Sequence, residues 1–176
     1  MNALIDTASK TFMNSERIPL ENRFALDDLC QTYASTLDER RYEDWPTFFM
    51  PDAIYRIVPL ENHELNLPIA LIHCEGHGMM TDRVVALREA VMMRPRALRR
   101  FVTATRIGKG DGSASNPLHV RSNVLLVETL HERMTQIVLS GVFHDTVVRH
   151  GNDWRFASRL CIYDSLLLPD SLVEPV

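Results

Sequence analysis

The sequence predicts an α+β fold: N-terminal helices packed on a strongly curved antiparallel sheet. Three observations carry this expectation. Near the start, Leu26, Leu29, Cys30, Tyr33 and Leu37 recur at i, i+3, i+4, i+7 and i+11, which is one face of a helix. Past residue 97 the pattern changes to four β-rich runs, 98–107, 117–130, 134–149 and 154–166, separated by turn residues. Between the two halves, residues 37–55 form a hinge rich in aromatic side chains, with Trp45, Phe48 and Phe49 followed by Pro51 and Asp52.

In chain order, residues 1–19 lack periodicity and are expected to be an arm, either frayed or ordered against a partner. Residues 20–176 are expected to form a single domain, within the size range of one hydrophobic core. The first helix should run from about Asn22 to Arg40; each buried apolar side chain on its stripe contributes roughly 1.5–3 kcal/mol before entropy is subtracted. In the hinge, Asp44 is a candidate N-cap and Pro46 suits a helix's first turn, which tolerates a missing donor. A strand should then begin near Ala53 and reach Val58, and a second should run from Leu65 to Cys74, made irregular by Pro68. Thr81 and Asp82 read as the start of another helix, with Val84, Leu87 and Val91 as its buried stripe and Arg94-Pro95 as its end.

The four later runs are joined by short links, among them Gly108-Lys109-Gly110-Asp111-Gly112 and Gly151-Asn152-Asp153, with a weaker turn signal at His131-Glu132. Short links make an antiparallel meander, because parallel neighbours need long crossovers. From Gln136 to Val148 both faces of the strand hold apolar residues: Ile137, Leu139 and Phe143 on one side, Val138, Val142 and Val148 on the other. A sheet covered on one side would leave the other polar, so the outer surface is expected to be covered as well, by another chain if the domain is small. Helices followed by a curved meander point to the cystatin-like, nuclear-transport-factor-like cone, a fold used by ketosteroid isomerases and scytalone dehydratases.

Composition narrows the function classes. A formal net charge of −4 gives no basic field for nucleic acid and no polybasic membrane patch. No apolar run approaches the ~20 residues a membrane-spanning helix needs, and no signal peptide is visible, so a cytoplasmic location is expected. Cys30, Cys74 and Cys161 are far apart and odd in number, which suits reduced, buried thiols.

Several patterns could carry chemistry. His73-Cys74-Glu75-Gly76-His77 places two imidazoles four apart around a carboxylate, but Gly76 and Gly78 argue against the helix that would turn both toward a metal. His73 is instead expected to end a strand and His77 to lie in the following loop. The glycines at 108, 110 and 112 resemble a phosphate loop only superficially, since Asn116-Pro117 and a strand follow where that chemistry needs a helix N-terminus. Tyr33, Tyr55, His144 and Asp145 could supply acid–base groups to a hydratase, isomerase or cyclase built in the cone. Adjacent strand residues point to opposite faces, however, so His144 and Asp145 cannot serve one chamber. Tyr33 also belongs to the helix stripe, where a core role is expected. Arg83, Arg88, Arg121, Arg149, Arg155 and Arg159 read as surface cations or partners of Asp38, Glu39, Asp82 and Asp145, and together they would suit a polar rim around an assembly interface.

Taken in order, Leu37-Asp38-Glu39, Tyr42, Trp45, Phe49, Asp52-Ala53, Tyr55, Asp82-Arg83, Leu87-Arg88, Arg121-Ser122-Asn123, Gly141, Asp145, Arg149, Gly151, Trp154-Arg155, Arg159 and Asp164 resemble the small (β) subunits of aromatic-ring-hydroxylating, Rieske-type oxygenases. The resemblance spans about Leu26 to Leu168. It departs from the family at residues 103–108, where a Ser-Arg-x-x-His pattern is common, and at Val142, where arginine is usual. Residues 161–169 are similar to small subunits of the salicylate 5-hydroxylase type. The resemblance implies a structural subunit without catalytic, cofactor-binding or metal-ligating residues of its own. It further implies a large (α) subunit carrying a Rieske [2Fe-2S] cluster and a mononuclear iron, three copies of each chain, and only indirect contact with a ferredoxin or reductase. An aromatic acid such as salicylate would be the substrate of the whole.

Overall fold

A computed structural model describes residues 18–89, 95–108, 110–131, 134–169 and 171–176. The arm expected over residues 1–19 therefore lies almost wholly outside the described residues, as do Val91 and Arg94 of the predicted third helix.

Helix α1 (Leu20–Asp38) opens after Pro19, whose carbonyl accepts from the amides of Asn22 and Arg23. The predicted stripe is its buried face, with Leu26, Cys30, Tyr33 and Leu37 all at 1% exposure or less. The helix stops because Arg40 turns left-handed (φ 58°) while the Arg41 amide bonds back to Thr36 and the Arg40 amide to Leu37, satisfying carbonyls the helix leaves open. That turn feeds a 3₁₀ segment, Tyr42–Phe48, which seats the fully buried Trp45 under α1. Asp44 does not cap it. Its carboxylate lies 2.6 Å from an Arg41 guanidinium nitrogen, and its main-chain oxygen accepts from the Thr47 hydroxyl.

Strand β1 (Phe49–Pro59) starts four residues earlier than predicted, because a register shift between Phe49 and Ile54 absorbs Pro51 and Asp52 within the strand. A short helix α2 (Leu60–Glu64) follows β1, and of the strand predicted over 65–74 residues 65–71 are an irregular turn containing Pro68, leaving strand β2 at Ile72–Glu75 alone. Helix α3 (Gly76–Glu89) begins five residues before Thr81. Gly76 is the pivot rather than a breaker: its φ of +73° lets the chain leave β2, and a Cβ there would sit 3.0 Å from the Pro51 carbonyl oxygen.

Strands β3 (Arg96–Ile107), β4 (Leu118–Leu130), β5 (Gln136–His150) and β6 (Asp153–Tyr163) form the expected antiparallel meander. The sheet order is β2-β1-β6-β5-β4-β3, and β1 lies parallel to β6, so the chain joins those neighbours only after building the rest of the sheet. Register shifts interrupt the β3–β4, β4–β5 and β5–β6 ladders. The shift in β3 contains Ala104, itself left-handed at φ 54°. Such bulges bend and twist strands, wrapping the sheet around α1 and α3. The concave face carries the aromatic core of Tyr33, Trp45, Phe49, Tyr55, Phe143 and Phe156. Several of these rings meet edge to face at 5.1–6.1 Å, an arrangement worth about 0.5–1.5 kcal/mol per pair beyond area burial.

Candidate functional site

The cone's interior is where side chains from α1, the 3₁₀ segment, β1, β5 and β6 converge. Tyr33 projects inward because it lies one turn from Cys30 on the helix stripe; Tyr55 does so because alternation along β1 places Ala53, Tyr55 and Ile57 on one buried face. The Trp45 indole N–H donates to the Tyr33 hydroxyl oxygen at 3.1 Å. The Tyr33 hydroxyl in turn donates to the main-chain oxygen of Val176 at 2.8 Å. The Val176 amide donates to the Tyr55 hydroxyl at 2.8 Å, and Tyr55 lies 3.3 Å from the Val176 oxygen. Burial raises the pKa of both tyrosines, so neither is poised as a base near neutral pH.

Deeper in the cone, Arg159 Nε and Nη2 engage the two oxygens of Asp145 at 2.9 and 2.8 Å. The guanidinium carbon also lies 3.9–4.2 Å from the ring centroids of Tyr33, Phe143 and Phe156. This ion pair is wholly buried, and Arg159 fills core volume rather than joining the surface rim expected for it. Burial pushes the Asp145 carboxyl upward against the pull of Arg159. His144 points the other way, as alternation requires. It is half-buried on the convex face, with its ring 6.3 Å from that of His63, and its pKa is pushed down to about 4 by burial, then by Arg121 and His63. The four acid–base candidates therefore do not meet in an open chamber.

The other patterns resolve as local structure. His73 lies in β2 beside Glu75 at 3.2 Å; His77 stands in the first turn of α3, not in a loop, with Nε2 3.1 Å from the Phe49 carbonyl oxygen. Among the described residues no group of three or more His, Cys, Asp or Glu side chains could hold a metal ion. The thiols do not fit an iron–sulfur cluster either: the chain has three cysteines, each buried on a separate element, where such clusters take four thiolates. The glycine loop is a hairpin link: Gly112 (φ +84°) packs under the Trp154 ring, and its carbonyl accepts from the Arg149 amide at 2.8 Å.

The predicted arginine partners hold in part. Asp38 pairs with Arg100 at 2.7 Å and Glu39 with Arg41 at 2.9 Å, neither of them an arginine singled out from sequence. Arg88 grips Glu43 with two nitrogens at 2.7 Å, tying α3 to the hinge. Arg149 stacks on Trp154 at 4.4 Å and donates to Asn22. Sequence reasoning missed the buried polar cluster at the mouth of the cone, where Arg96 joins Glu128 at 2.8 Å and Glu174 at 3.5 Å, and Arg100 donates to the Pro175 carbonyl at 2.5 Å. Arg96 and Arg100 lie in a strand beside other arginines, so only their alternation with Leu98 and Val102 signalled that they point inward.

The convex face carries exposed apolar side chains on adjacent strands. Phe101 on β3 pairs in register with Leu125 on β4, and Val127 on β4 with Ile137 on β5, so the four share one outward patch. Phe101 and Ile137 are 53% and 61% exposed, and a second apolar group surrounds α2, with Leu65, Ile69, Leu166 and Leu167 more exposed still.

Comparison with known proteins gives one consistent picture. The family described as "Ring hydroxylating beta subunit" matches residues 33–170. The small subunit of anthranilate 1,2-dioxygenase from Burkholderia cepacia is 32% identical over 154 residues, covering 87% of this chain and 93% of that one. Subunit beta 1 of the terminal oxygenase component of terephthalate 1,2-dioxygenase from Comamonas sp is 29% identical over 147 residues, covering 82% and 92%. A crystal structure described as the β subunit of an aromatic-ring-hydroxylating dioxygenase from Novosphingobium aromaticivorans superposes with a TM-score of 0.77 at 32% identity, covering 86% of this chain and 95% of that one.

Proposed function

Because the chain belongs to the family of ring-hydroxylating β subunits, we propose that it is the non-catalytic, structural small subunit of a Rieske-type oxygenase component acting on an aromatic acid such as salicylate. A β subunit implies an α-subunit partner. In this reading the partner carries the [2Fe-2S] cluster and the mononuclear iron, three copies of each chain assemble in the cytoplasm, and a ferredoxin or reductase meets the complex through the large subunit. Residues 20–176 serve as one cone domain, residues 1–19 as an arm toward a neighbour, and no side chain of this chain takes a catalytic role.

The solid interior of the cone supports this most directly: the Arg159–Asp145 pair, three surrounding rings and residues 172–176 take the volume that a reaction chamber would need. The apolar convex patch supports it from outside, since such patches mark association surfaces. Anthranilate and terephthalate, in the names of the two relatives, are both benzene carboxylates, which favours an aromatic acid over a hydrocarbon as substrate.

Co-expression with a Rieske large subunit tests the assignment. The expected product is a coloured, iron-containing complex of three large and three small chains, while the lone small chain is colourless and inactive. Turnover of an aromatic acid by the lone chain, or failure to join a large subunit encoded beside it, would overturn the assignment.

A further inference from the structure

The segment 171–176 belongs to no helix or strand, yet Leu172, Glu174 and Val176 are buried, Val176 completely. Its main-chain oxygens are held as a bound molecule's would be, by side chains from separate elements. Tyr33 of α1 and Tyr55 of β1 meet the oxygen of Val176, Arg100 of β3 donates to that of Pro175, and Arg83 of α3 donates to that of Val173 at 2.9 Å. The Trp45 N–H already occupies the Tyr33 hydroxyl oxygen, so the Tyr33 proton is aimed at whatever replaces Val176. Around this point the walls are apolar rings: Trp45, Phe49 and Tyr55 in mutual edge-to-face contact.

From this arrangement we infer that the cone retains a ligand pocket that its own residues 172–176 occupy in cis, and that displacing them exposes a site for a small carboxylate with a compact apolar body. The isopropyl group of Val176 marks the apolar subsite, and its oxygen marks the acceptor position between two hydroxyls. Arg83, which meets the segment at the Val173 carbonyl, favours an anion over a neutral amide, while Arg100, already paired with Asp38, offers the Nη2 donor that Pro175 now holds. When the segment leaves, buried hydroxyl and guanidinium donors lose their acceptors, and desolvated donors without partners favour entry of an acceptor-bearing molecule. The site is thus closed in the conformation described and opens only in a minor population.

The test uses the full chain with Leu172→Ser and Val176→Gly, which remove the two apolar anchors of the segment. The probe is N-acetyl-L-valine, followed by saturation-transfer NMR and calorimetry. A closed site weakens apparent affinity by the fraction of time it is open, so the released variant should bind the probe about tenfold or more tightly than the unmodified chain. Adding Tyr33→Phe and Tyr55→Phe should abolish that gain. Equal, weak binding by a released variant that keeps its near-ultraviolet dichroism would overturn the inference. Should the released variant fail to fold, hydrogen exchange on the unmodified chain decides instead. Exchange at the Val176 amide that is faster than at Ile57, and slowed by the probe, supports a displaceable segment; equal rates at the two amides would show an integral part of the core.

Discussion

Asp145 and Arg159 are register partners on β5 and β6, so their two-point ion pair spans the sheet with no solvent at either side chain. Charge burial of this kind is costly; two guanidinium nitrogens meet the two carboxylate oxygens, three rings face the guanidinium, and the buried Nη1 is left without a hydrogen-bond acceptor among the described residues.

Removing one member should therefore cost far more than removing both. Asp145→Ala leaves a buried cation uncompensated and is expected to destabilise the chain by about 3–5 kcal/mol, measured by urea unfolding. The double variant Asp145→Leu with Arg159→Met replaces charge by apolar volume and should recover most of that loss. An Asp145→Ala chain within about 1 kcal/mol of the unmodified one would show that water reaches the pair.

Gly141 shows a tight approach of a different kind. A Cβ there would lie 2.2 Å from the Ile162 carbonyl oxygen and 2.8 Å from the Tyr163 Cα, both backbone atoms that cannot rotate aside. Gly141→Ala should force β5 away from β6 and cost at least about 1–3 kcal/mol, seen as a lowered thermal midpoint. Gly151→Ala provides a contrast: nothing lies within 4 Å of its Cβ position, so its cost is confined to backbone strain at φ +64°.

Stability should also fall on mild acidification through His144. Its folded pKa of about 4 lies below the ordinary value of 6.5, so the unfolded chain binds the proton more readily. The contribution is fully present above about pH 6.5, is lost progressively as pH falls, and stops changing below about pH 4. Partial solvent access discounts the magnitude to on the order of 1–2 kcal/mol. His144→Asn should flatten the unfolding free energy over that window, and an unchanged pH slope in the variant would assign the effect elsewhere.

The sequence made the meander and the α1 stripe legible because strict periods of 2 and 3.6 survive in residues such as Leu118, Val120 and Val124, or Leu26, Cys30 and Tyr33. Arg159 was not legible as core because strand parity breaks at a bulge. Phe156 pairs with Val147 and Ser158 with Thr146, so Ala157 is skipped and the inward set shifts from Trp154 and Phe156 to Arg159 and Cys161. A charged residue defaults to the surface unless that bulge is known. The start of α3 was hidden for a related reason: Gly76 and Gly78 lower intrinsic helix propensity, but packing of Met80 and Val84 against the sheet overrides it. Residues 171–176 carry no periodicity, and their burial depends on Arg83, Arg96 and Arg100, which are distant in sequence.

The convex patch supplies a prediction that separates folding from assembly. Phe101 and Ile137 project outward from β3 and β5 and are more than half exposed, so their substitution removes little from the domain's own core. Phe101→Glu with Ile137→Glu should leave the unfolding free energy of the lone chain within about 0.5 kcal/mol per site. In a partner interface the same changes place two carboxylates in a desolvated apolar zone, where a central anchor is worth about 2 kcal/mol or more. Co-purified large subunit should fall by at least about tenfold, measured by size exclusion with mass detection. Retention of a full complex by the double variant would place the interface elsewhere, with the apolar surface around α2 as the face to substitute next.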